Sequence, residues 1–95
     1  MYGTIARWRV QEGKEEELER LADELTSQQV PGSRSVLFYR ADNDPREYWV
    51  ASSWDSREVY HGNARTPEQN ARYERLRALL ETDPEWHDGE IVASR

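Results

Sequence analysis

The chain has 95 residues, no cysteine and a formal net charge of −6. An acidic balance of this size repels phosphate and argues against nucleic acid as a partner, since the one dense basic group, Arg65, Arg72, Arg75 and Arg77, is diluted by Glu68, Glu74 and Glu81. The missing cysteine removes disulfides, thiolate nucleophiles and cysteine metal sites, which fits a cytoplasmic protein, and no apolar run reaches signal-peptide or membrane-span length.

Tyr2 to Val10 sets Tyr2, Thr4, Ala6, Trp8 and Val10 on one face and Gly3, Ile5, Arg7 and Arg9 on the other, a period of two that predicts a first strand. Glu12-Gly13-Lys14 breaks the pattern. Leu18, Leu21, Ala22 and Leu25 then recur at helical spacing, predicting a helix over 13–28 whose acidic first turns suit the helix dipole. Val30-Pro31-Gly32 ends it. Ser33 to Ala41 reads as a second strand, with Val36, Phe38 and Arg40 opposed to Leu37, Tyr39 and Ala41.

Asp42-Asn43-Asp44-Pro45 is turn chemistry, and it predicts a hairpin into a third strand over Glu47 to Asp55. Tyr48, Val50, Ser52 and Trp54 share one face of that strand; Trp49 and Ala51 lie on the other. Asp55 or Ser56 offers a helix cap, with Glu58 reciprocal to Asp55, so a short helix is expected to about Gly62. Thr66-Pro67-Glu68-Gln69 is a stronger start signal and places the main second helix over 67–81. After Thr82-Asp83-Pro84, the stretch Glu85 to Ala93, with Trp86, Ile91 and Val92, predicts a fourth strand.

The order is β-α-β-β-α-β, an α+β ferredoxin-like arrangement in which two main helices cover one face of a four-stranded antiparallel sheet. One domain is expected over residues 1–95. A chain of this length buries only about two thirds of its unfolded surface. Its second and third strands carry apolar groups on both faces, whereas a sheet with one solvated face should alternate cleanly. A second copy packed sheet to sheet covers the bare side, so a homodimer is expected.

No glycine-rich phosphate loop, HExxH motif or nucleophile elbow is present. A metal site would require the fold to bring His61 or His87 to Glu58, Asp88 or Glu90, and none is expected. Trp54, Tyr60, His61, Asn63, Asn70 and Tyr73 gather around the third-strand exit and the second helix. A gap there would be aromatic-walled with a few polar tips, the composition of a pocket for a small aromatic ligand. Taken singly, Trp54 and Tyr73 suit a plain core better than a binding role, while Tyr60 and His61 are nearly balanced between the two, since a tyrosine hydroxyl can donate or accept at neutral pH and a histidine can titrate there.

The element order, the segment Trp54-Asp55-Ser56-x-x-x-Tyr60, the Pro31-Gly32 turn and the closing Pro84-Glu85-Trp86-His87-Asp88-Gly89 together resemble the antibiotic-biosynthesis monooxygenase family of dimeric α+β barrels. The resemblance implies a cofactor-independent monooxygenase acting on a small quinol or anthrone. It makes His61, Tyr60 and Asn63 the candidate catalytic residues and Trp54, Asn70, Tyr73 and Arg72 the substrate-binding ones. Polyketide-oxidising members have an asparagine four residues before the tryptophan; Val50 stands there. Haem-degrading members use an asparagine on the first strand and a histidine on the second helix, and this chain has neither. A non-catalytic dimeric ligand-binding protein and a haem binder stay open as other readings.

Overall fold

A computed structural model describes all residues 1–95 and contains seven elements: β1 (Tyr2–Arg9), α1 (Glu15–Thr26), β2 (Ser33–Arg40), β3 (Glu47–Trp54), α2 (Arg57–Ala64), α3 (Pro67–Arg77) and β4 (Glu85–Glu90). The strands form one antiparallel sheet in the order β2-β3-β1-β4. This is the ferredoxin-like arrangement, in which β1 is interior because each crossover helix carries the chain past a neighbouring strand. No helix is long and apolar enough to cross a membrane.

Register decides the faces. Tyr2, Thr4, Ala6 and Trp8 of β1 stand opposite Trp54, Ser52, Val50 and Tyr48 of β3, so the even-numbered side chains of both strands share the side that the helices cover. Ala6, Trp8, Val10, Tyr48 and Val50 join Leu18, Leu76, Leu79 and Leu80 in the core. The opposite face has no cover: Ile5, Leu37 and Tyr39 are 49%, 63% and 52% exposed.

Local chemistry sets most element ends. Thr66 accepts from Gln69 N at 3.1 Å, and Pro67 occupies the first turn of α3, where its missing N–H leaves nothing unpaired. Ser56 caps α2 by accepting from Val59 N at 3.2 Å. Asp55 is drawn instead into an ion pair with Arg34, so Ser56 does the capping. Two elements fall furthest short of the ends that their patterns predict. α3 stops at Arg77, and Ala78–Leu80 turns so that Leu80 bridges Val10. β4 stops at Glu90, the register partner of Tyr2, after which Ile91 N makes one last ladder-like bond to Met1 O at 2.9 Å.

Candidate functional site

The gap between sheet and helices follows from how α3 is anchored. Of its residues only Leu76 is buried, and with Leu79 and Leu80 it pins the C-terminal end to the core. The N-terminal half, which carries Gln69, Asn70, Arg72 and Tyr73, has too little apolar surface to close onto the strands. Between it and the sheet lies a cavity of about 460 Å³, within the range of small-molecule sites.

All seven residues singled out from the sequence line this one cavity: Trp54 from the end of β3, Tyr60, His61 and Asn63 from α2, and Asn70, Arg72 and Tyr73 from α3. Trp54 is buried and donates its indole N–H to Ser52 Oγ at 3.1 Å. Tyr60 is packed edge-on against Trp54 and His61, with centroids 5.7 and 5.1 Å apart, and tilted against Tyr2 at 5.5 Å. Aromatic pairs at these separations are attractive in their own right, so the Tyr60 ring is held from three sides.

At the α3 side, Arg72 is held by two glutamines rather than by a carboxylate. Its Nε donates to Gln28 Oε1 at 3.1 Å and Nη1 to Gln69 Oε1 at 3.2 Å. Asn63 Nδ2 donates to the same Gln69 oxygen at 3.3 Å. A guanidinium has five N–H donors, so Arg72 retains donors for a guest. Asn70 turns its amide to Glu74 at 3.3 Å.

The lining also includes Thr4, Trp8, Ser52 and Asp88 of the sheet, which were not among the sequence candidates. Tyr60 Oη donates to Asp88 Oδ1 at 3.1 Å. Burial pushes the Tyr60 hydroxyl up to about 12, and the Asp88 carboxylate reinforces the shift; the Thr4 hydroxyl opposes it. Thr4 lies near enough to Tyr60 to influence it, yet no arrangement between them is a well-formed hydrogen bond. Thr4 Oγ1 and Trp8 Nε1 are both buried without a partner. The even face of β1 was legible in its alternation, but no sequence signal says that a cavity opens above it.

The two histidines are separated by the sheet. His61 faces the cavity, whereas His87 stands opposite Ile5 on the bare side, 3.4 Å from Glu85. No three His, Asp or Glu side chains gather as a metal-binding group.

Residues 1–75 match the family described as antibiotic biosynthesis monooxygenase. The chain belongs to that family. No curated protein is close enough in sequence to count as a match, but solved structures of antibiotic biosynthesis monooxygenase type superpose over nearly the whole chain. SnoaB, a cofactor-independent oxygenase from Streptomyces nogalater, is similar at 17% identity and a TM-score of 0.84, over 98% of this chain and 94% of its own. A protein from Chloroflexus aurantiacus J-10-fl, described as a candidate antibiotic biosynthesis monooxygenase, is 25% identical at a TM-score of 0.82, over 99% and 95%. Rv0793 from Mycobacterium tuberculosis is 17% identical at 0.82, over 98% and 96%.

Proposed function

We propose that this antibiotic biosynthesis monooxygenase family member is a homodimeric, cofactor-independent monooxygenase that oxidises a small hydroxylated aromatic, of quinol or anthrone type, with dioxygen. The observation that carries this reading is the aromatic-walled cavity of about 460 Å³ lined by Trp54, Tyr60, His61, Asn63 and Arg72. Its volume suits a two- or three-ring guest, and polar groups reach it both from the helices, through His61, Asn63 and Arg72, and from the sheet, through Thr4, Ser52 and Asp88. The likeness of fold to a cofactor-independent oxygenase is consistent with it.

In this chemistry the aromatic substrate supplies the electrons. A ring hydroxyl or activated methylene loses a proton, the anion passes one electron to dioxygen, and the radical pair recombines at carbon. Loss of water then leaves a carbonyl, so one oxygen atom enters the product and the other leaves as water. The protein's tasks are to hold the ring, accept the proton and exclude solvent. His61 is the proton acceptor, Trp54 and Tyr73 are the walls, and Arg72 with Asn63 faces the developing negative charge. Asn70 lies at the cavity edge.

The homodimer rests on the bare sheet face. Ile5, Leu37 and Tyr39 present a continuous exposed apolar patch, and sheet-to-sheet packing with a second copy removes it from water.

The test is oxygen uptake with a panel of hydroquinones and anthrones. Uptake that falls at least tenfold in His61→Ala supports the reading. No uptake by the wild type with any member of the panel, or full uptake by the double variant His61→Ala, Tyr60→Phe, removes it.

A further inference from the structure

Tyr60 and Asp88 come from opposite ends of the second half of the chain, and their pairing fixes which way the Tyr60 hydroxyl points. A phenol has one hydrogen to donate and lone pairs to accept with. Donation to a carboxylate is about twice as strong as donation to a neutral acceptor, so the Tyr60 hydrogen stays with Asp88 Oδ1, 3.1 Å away. Three aromatic neighbours, Tyr2, Trp54 and His61, prevent the ring from turning elsewhere. What Tyr60 offers the cavity is therefore an acceptor.

We propose that Asp88 is a positioning residue that sets the hydrogen-bond polarity of Tyr60, so that the cavity selects guests bringing a free aromatic hydroxyl to that oxygen over guests presenting only carbonyl or ether oxygens. The inference rests on the cavity being the ligand site, as in the proposed function, and adds a rule for what enters it. A carbonyl oxygen placed against Tyr60 would meet lone pairs with no hydrogen between them. A hydroxyl completes the chain from guest to Tyr60 to Asp88.

Two further features agree. Asp88 is the register partner of Thr4 across the β1–β4 ladder, which puts its carboxylate beside the same stretch of cavity floor. Thr4 Oγ1 is buried there without any partner, an unfavourable state that a polar guest entering beside Tyr60 relieves. The raised Tyr60 hydroxyl keeps its proton throughout the neutral range, so the donor to Asp88 is present under ordinary conditions.

Calorimetric titration under nitrogen with 1,4-dihydroxynaphthalene and 1,4-naphthoquinone tests this on one carbon skeleton, with no cysteine in the chain to react with the quinone. The wild type is expected to bind the diol at least tenfold more tightly. Asp88→Ala, which frees the Tyr60 hydroxyl to point inward, should bring the two affinities to within about threefold, mainly by strengthening quinone binding. Tyr60→Phe should erase the preference by weakening the diol. Circular dichroism checks that both variants fold; Asp88 is exposed on the edge strand and its removal leaves the core untouched.

Equal affinities in the wild type, an unchanged ratio in folded Asp88→Ala, or no binding of either compound would overturn the proposal. Oxygen uptake by the same wild-type sample separates this outcome from the oxygenase reading. Diol preference without uptake removes only the oxygenase, and uptake without diol preference removes only the role of Asp88.

Discussion

Gly32 and Val59 are packed so closely that a β-carbon added to the glycine would overlap Val59 Cγ1. Gly32 also has φ +84°, in the left-handed region that disfavours side chains. Its carbonyl accepts from Asp55 N at 2.9 Å, so this one residue ties the β2 entrance to the start of α2, on which Tyr60 and His61 ride. Gly13 shares the backbone strain at φ +86° but has open space around it. Gly13→Ala should cost about 1–2 kcal/mol; Gly32→Ala, which adds a clash, should cost about 3 kcal/mol or more. Thermal unfolding compares them, and equal costs would show that α2 yields freely.

Thr4 carries a buried hydroxyl with no partner. Thr4→Val keeps the branched shape and removes the unpaired group, so the variant should be more stable than the wild type by about 1 kcal/mol in urea. A loss of stability would mean that the hydroxyl is satisfied in the folded protein.

Leu37 is 63% exposed on the bare sheet face and takes no part in the cavity. In a dimer that buries this face, Leu37→Glu places an unpaired charge in the interface, at a cost of several kcal/mol. Sedimentation should show the wild type as a dimer at low micromolar concentration and the variant as a monomer with its circular dichroism unchanged. A wild-type monomer would contradict the homodimer.

Tyr48 is buried in β3 and donates its hydroxyl to Glu19 of α1, which also pairs with Arg40 at 2.6 Å. Burial, and then the Glu19 carboxylate, push the Tyr48 hydroxyl up to about 12, with Arg40 opposing. A raised folded value means that the unfolded chain loses this proton first. The stability associated with it is complete below about pH 10 and is lost as pH rises toward 12. Tyr60 has the same sign for the same first cause. Tyrosinate absorbance should therefore show two hydroxyls ionising near pH 12, and Tyr48→Phe should lose less stability than the wild type between pH 10 and 12.

The alternation of Tyr2-Thr4-Ala6-Trp8 and of Tyr48-Val50-Ser52-Trp54 was enough to define strands, faces and a bare flank. A period of two reports local backbone geometry, and the side chains that must be buried appear in it directly. Thr66-Pro67 was equally plain, since capping is satisfied within one turn. At Asp55 and Ser56 two local candidates competed, and a remote residue, Arg34, decided between them by pairing with Asp55. The cavity needed the whole fold. Its existence depends on α3 burying only Leu76, and its polar end depends on the β1–β4 register bringing Asp88 to Tyr60 across 28 residues. By itself the sequence determined which residues form each element and which face they share, because those follow from neighbours along the chain. Tertiary structure alone decided which polar groups meet, because a hydrogen bond between distant segments depends on packing that no local pattern encodes.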